Sequence, residues 1–147
     1  MKSTECKHGR VFVLKLDHGD KLPDCIEKFA QEKAISTAQV IFLGGIDRGQ
    51  VVVGPRETAE MPPQPVLLDI DEAHEVVGAG IIALNTEGRP VLHMHATLGR
   101  GGTAITGCIR PGVFTWLTGE AVIYEIMGSA AVRKKDAASG FALMDIE

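Results

Sequence analysis

Two histidines one residue apart, His93 and His95, and a cysteine beyond a glycine-rich turn, Cys108, form the densest chemical grouping in the chain. Imidazole nitrogen and thiolate sulfur are donors that zinc accepts, at about 2.0–2.1 Å and 2.3 Å respectively. A cysteine in the set favours zinc over magnesium or calcium, whose preferred ligands are oxygens. Three such ligands leave a fourth position for water, a substrate or a group from another subunit. The expected site is therefore a metal site made of His93, His95 and Cys108. A closed site would serve structure or sensing. An open one could activate water, whose pKa falls to about 7 on zinc.

These side chains meet only if neighbouring strands hold them. Residues 85–88 and 99–102 each separate two apolar runs and suit four-residue hairpin loops. With Leu98 opposite Thr103, His95 faces Thr106 and His93 faces Cys108. With Leu84 opposite Arg89, Gly80 faces His93 and Gly78 faces His95. Alternation then sorts the faces. Val77, Ala79, Ile81, Leu92, Met94, Ala96 and Leu98 line the core. Gly78, Gly80, His93, His95, Thr106 and Cys108 share the other side. Opposed residues have Cβ atoms about 4.5–5.5 Å apart, a workable span for shared ligation. The two glycines would leave room for an ion. A slip of one residue in either turn would undo this arrangement.

The remaining elements follow from periodicity. Residues 11–16 read as a first strand. Asp20 is a plausible N-cap and Pro23 fits a first helical turn. Leu22, Cys25, Ile26, Phe29 and Ala30 recur at helical spacing, marking an amphipathic helix to about Lys33. Residues 38–43 and 50–53 read as two strands around Gly44-Gly45, and 60–65 as a proline-rich loop. From Val66 onward strands dominate, at 74–84, 89–98, 103–109 and 121–127, with 112–118 left as strand or loop around Trp116. Residues 141–144 form an apolar group that docks on the body or on another subunit. The expectation is an α+β fold, a central antiparallel sheet with one main N-terminal helix packed on it. It is a single domain over residues 1–147, with a core at about 10–128 and a tail at 129–147. Edge strands need covering, which subunit association supplies.

Composition narrows the function classes. The chain has 147 residues, of which 45% are hydrophobic and 23% charged, enough for a sizeable core. No apolar run reaches the roughly 18–20 residues of a membrane span, and the N-terminus lacks a signal-peptide pattern, so a cytoplasmic protein with no membrane partner is expected. Cys6, Cys25 and Cys108 are an odd set, far apart in sequence, and read as thiols or ligands rather than disulfides. The net charge of −4 gives no general support to nucleic-acid binding. Gly88-Arg89-Pro90 echoes an AT-hook but reads as a hairpin exit, and Arg133-Lys134-Lys135 as a solvated basic run. Gly99-Arg100-Gly101-Gly102 lacks the residues of a phosphate loop and reads as a turn. The acidic group Asp69, Asp71, Glu72 and Glu75 with His74 reads as solvated charge. His8 and His18 are isolated.

Residues 91–98, Val-Leu-His-Met-His-Ala-Thr-Leu, then a glycine-rich turn, then Gly107-Cys108, resemble the core of the PPC domain, "plants and prokaryotes conserved", also called DUF296. The likeness extends roughly from Arg10 to Met127. It takes in Leu43-Gly44-Gly45, Glu75 and Tyr124-Glu125. Thr106-Gly107-Cys108 stands where the family has a Gly-Gly-His-like strand, so Cys108 replaces the third histidine and keeps a competent ligand. The resemblance implies an α+β fold that assembles as a homotrimer. It also implies a DNA-binding, regulatory or partner-binding role, with a protein or small-molecule partner and no enzymatic activity. The alternative is a zinc-dependent, hydrolase-type enzyme acting on a small molecule. Glu75, Glu125 or Thr106 would then assist, and Arg10 would orient an anionic substrate.

Overall fold

The computed structural model describes residues 1–146. The chain runs β1 (Lys7–Asp17), α1 (Leu22–Glu32), β2 (Thr37–Pro55), β3 (Pro65–Ile70), β4 (His74–Asn85), β5 (Pro90–Arg100), β6 (Thr103–Ile109), β7 (Phe114–Met127), β8 (Ala131–Lys135) and β9 (Ala142–Ile146). The strands form one sheet in the order β1-β7-β2-β6-β5-β4-β8-β9, with β3 on β2 and a further β2–β4 pairing. The α+β expectation is corrected: 62% of the chain is strand and 8% helical, with one helix, so the fold is mostly β. Segments read as uncertain or as tail supply much of the difference. Residues 114–118 open β7, and the polar C-terminal stretch folds into the β8–β9 hairpin.

The long strand β2 organises the sheet. Its first half lies between β7 and β4, while Val51 and Val52 pair with Ile109 and Cys108 of β6. Strands β2, β4, β5 and β6 therefore close into a curl. Sequence periodicity breaks at Gly44-Gly45, yet the strand continues. A Cβ on Gly44 would lie 2.5 Å from the Thr118 carbonyl oxygen, so glycine is what allows β2 and β7 to meet there. The β2–β7 register shifts between these two glycines.

The core fills one side of the sheet. Val40, Phe42, Ile82, Met94, Ala96, Leu98 and Ile123 are buried there, and α1 adds Leu22, Ile26 and Ala30. Helical spacing puts these three on one face, and each large side chain so buried contributes about 1.5–3 kcal/mol. The helix starts as its proline predicts, but the N-cap is Lys21 and makes no side-chain cap bond. Asp20 instead accepts a hydrogen bond at Oδ2 from the Asp17 amide, 2.8 Å away. Glu27 ties α1 to β5, its Oε1 accepting from the Leu92 amide at 2.8 Å.

Candidate metal centre

His93 and His95 project from β5 and Cys108 from β6. One ligand atom from each lies within 4.8 Å of the others. The imidazole rings are 5.0 Å apart and nearly perpendicular. Both histidines are exposed and Cys108 is half-buried. Although His93 is exposed as a whole residue, partial desolvation of its ring, first, then the positive charges of Arg133, His95 and Arg110 hold it below the usual imidazole range. That favours the neutral form, which is the one that ligates.

Turn chemistry explains how the three residues meet. The β5–β6 hairpin has a two-residue turn, Gly101-Gly102, with φ of 58° and 85°. Positive φ at both central positions is the requirement of a type I′ turn, which glycine meets without strain. Arg100 therefore pairs with Thr103, and His95 rather than His93 lies opposite Cys108. The slip from the expected register is two residues. Since side chains alternate with a period of two, the triad stays on one face. Thr106 faces Thr97, their hydroxyls 2.8 Å apart.

The β4–β5 turn slips by one residue and has the opposite effect. Leu84 pairs with Pro90, and the Asn85 amide donates to the Arg89 carbonyl at 2.8 Å. Asn85 Oδ1 accepts from the amides of Glu87 and Arg89, fixing a three-residue loop. Gly78 and Gly80 consequently lie opposite Ala96 and Met94 on the core side. They make no room for an ion. A Cβ on Gly80 would sit 2.7 Å from the His93 carbonyl oxygen and 2.9 Å from Met94 Cβ, so its absence admits close core packing. Ile81 and Ala79 take the places opposite His93 and His95. Val77, Ala79 and Ile81, expected in the core, belong to the outer face.

That outer face is continuous. One lateral row runs Val13, Val122, Ile41, Ala79, His95 and Cys108; the row beside it runs Val11, Tyr124, Gln39, Ile81 and His93. Exposed along it are Val13 at 80%, Val77 at 60% and Leu43 at 48%. The triad thus sits at one end of an uncovered, largely apolar sheet face.

Other sequence candidates go elsewhere. Glu125 is held by Arg10, with Arg10 Nη2 2.6 Å from Glu125 Oε1, and this guanidinium brings the carboxyl down to about 2. Glu75 pairs with Gly99 at the far end of β4. Glu72 bonds Arg100 at 2.8 Å and Asp69 accepts from Gln50 at 2.8 Å, so the acidic group does not converge. His18 accepts from the Leu117 amide at 3.2 Å, and His8 packs edge-on against Tyr124. The Gly99–Gly102 segment is the hairpin turn just described. Pro90, from the AT-hook echo, is the buried first residue of β5.

One residue beside the triad was misread. Arg133, expected in a solvated basic run, is only 5% exposed. Its Nη2 donates to the Ile81 carbonyl at 2.9 Å and its Nε to the Val91 carbonyl at 3.2 Å. The available signal was a hairpin pattern, an apolar pair before it and the apolar residues 141–144 after a polar turn.

Together these features define a mostly-β, single-sheet protein with a His-His-Cys cluster on an open face. Residues 3–127 match the family model of the Plants and Prokaryotes Conserved (PCC) domain, and the chain belongs to that family. Among solved structures it is similar to the metal-containing protein AF0104 of Archaeoglobus fulgidus. The two share 26% identity and a TM-score of 0.84 over 97% of this chain and 98% of that one. A plant- and prokaryote-conserved protein of Pyrococcus horikoshii shares 21% identity, with a TM-score of 0.84 over 99% and 97% of the two chains. A provisionally assigned DNA-binding protein of Ralstonia eutropha JMP134 shares 21% identity, with a TM-score of 0.69 over 92% and 90%. Among curated proteins none matches significantly. No helix among the described residues is long and apolar enough to cross a membrane.

Proposed function

We propose that this chain is a zinc-binding, non-enzymatic member of its family that works as a cytoplasmic homotrimer with a regulatory or partner-binding role. The observation that carries the metal reading is the convergence of His93, His95 and Cys108 within 4.8 Å. The donor set fits zinc: two imidazoles, one of them biased toward its neutral form, and a thiol on the facing strand. Bound zinc would supply a positive centre with one open position. The likeness to a metal-containing protein points the same way. Trimer formation is supported by the bare face carrying Val11, Val13, Leu43 and Val77, which a monomer would leave in water.

No observation favours the hydrolytic alternative. Glu125 is engaged by Arg10, Glu75 lies at the far end of β4, and Thr106 shares its hydroxyl bond with Thr97. Direct DNA binding has weak support in a chain of net charge −4. Cobalt titration of metal-free protein tests the site. A tetrahedral cobalt spectrum with a sulfur charge-transfer band is expected, and Cys108→Ser should abolish that band. A featureless octahedral spectrum in the wild type would sink the assignment.

A further inference from the structure

Arg133 belongs to the β8–β9 hairpin, beyond the family match at residues 3–127. Its guanidinium is fixed on the carbonyls of Ile81 and Val91. Ile81 is the residue opposite His93, and Val91 precedes His93 by two along β5, so the guanidinium is held on the backbone of the two strands that carry this pair. Arg110 follows Cys108 by two residues, just beyond the end of β6, and is exposed. Among the described residues neither arginine has an ion pair within 4 Å. Glu27 is the nearby anion, and its Oε1 is held by the Leu92 amide.

A buried cation without a paired counter-charge is costly. Zinc would add two positive charges and the Cys108 thiolate would remove one, so the loaded site keeps a positive excess even with Glu27 ionised. The missing group is an anion. We propose that the open fourth position takes an oxyanion, the carboxylate or phosphate group of a small molecule, and that Arg133 together with Arg110 selects for its charge. Arg133 is a positioning residue that acts as a fixed charge, while Arg110, exposed two residues beyond Cys108, supplies a second positive charge. This inference rests on the zinc reading above. It assigns the β8–β9 hairpin a part in ligand selection beyond pinning itself to β4.

The test uses the full chain loaded with cobalt, titrated separately with acetate, inorganic phosphate and neutral acetamide. Metal content is measured on every sample. Acetate or phosphate should shift the cobalt bands and acetamide should not; the stronger of the two anions identifies the carboxylate or phosphate class. Arg133→Met should weaken the anion by at least about tenfold at unchanged metal content, Arg133→Lys by much less, and Arg110→Ala by an intermediate amount. Metal bound normally but untouched by either anion would overturn the inference and leave the zinc reading intact. Loss of thermal stability in Arg133→Met with unchanged anion affinity would reduce Arg133 to a hairpin anchor and overturn it too. If Arg133→Met does not fold, Arg133→Lys and the exposed Arg110→Ala decide, and wild-type affinity in both overturns the selection. Metal-free wild type would remove both the inference and the reading beneath it.

Discussion

At Cys108 the sulfur faces His95 across a hairpin whose two-residue turn sets the pairing. Replacing it with alanine should lower zinc affinity by at least about 100-fold, as read by chelator competition, whereas Cys108→His should retain binding. The second charged centre, Arg10–Glu125, makes a pH prediction. The Glu125 carboxyl lies at about 2 in the fold against an ordinary 4.5. Its contribution is therefore complete above about pH 4.5 and fades as pH falls toward 2. Because the pair is partly solvated the effect is modest, and Glu125→Gln should flatten the melting temperature across that acid window. A Gln variant with the same acid slope as wild type would contradict this. Residue types alone singled out His93, His95 and Cys108, which the fold brings together, since few other groupings in the chain combine imidazole and thiol. They did not announce Arg133, because a basic run gives no sign that one member turns inward.

Between elements, the faces of β5 were legible, while those of β4 and the registers were not. Alternation along β5 correctly separated Met94, Ala96 and Leu98 from His93 and His95. Pairing between strands depends on turn length, and residues 85–88 and 99–102 read equally well as four-residue loops. The two-residue slip at Gly101-Gly102 left the triad together because parity survived. The one-residue slip at Asn85 moved Gly78 and Gly80 into the core. Gly80→Ala should accordingly destabilise the protein by about 1–3 kcal/mol through crowding of Met94 and the His93 backbone. Thermal melts would read this as roughly 2–4 °C per kcal/mol for a chain of this size. An unchanged melting temperature would return these glycines to the outer face. The α+β expectation failed for a related reason. The polar residues of 129–140 concealed the β8–β9 hairpin, whose turn is closed by Asp136 accepting from the Ser139 amide at 2.7 Å.

For the molecule as a whole, one face of the sheet carries the core and α1 while the other carries apolar rows ending at His93, His95 and Cys108. Assembly through that second face predicts that Val13→Glu or Val77→Glu yields monomers in sedimentation while far-ultraviolet circular dichroism stays unchanged. Trimers in both variants would move the interface elsewhere. Duplex DNA should show no salt-dependent binding at low ionic strength, in keeping with the net charge of −4. Tight binding that weakens steeply with salt would restore a direct DNA role. The most direct test of the central claim is native mass spectrometry of tag-free protein after zinc is offered, on wild type and on His93→Ala, His95→Ala and Cys108→Ala. One zinc per chain in the wild type, lost in each variant, is the predicted result. Metal-free wild type would contradict it and return the three residues to the polar end of a sheet face.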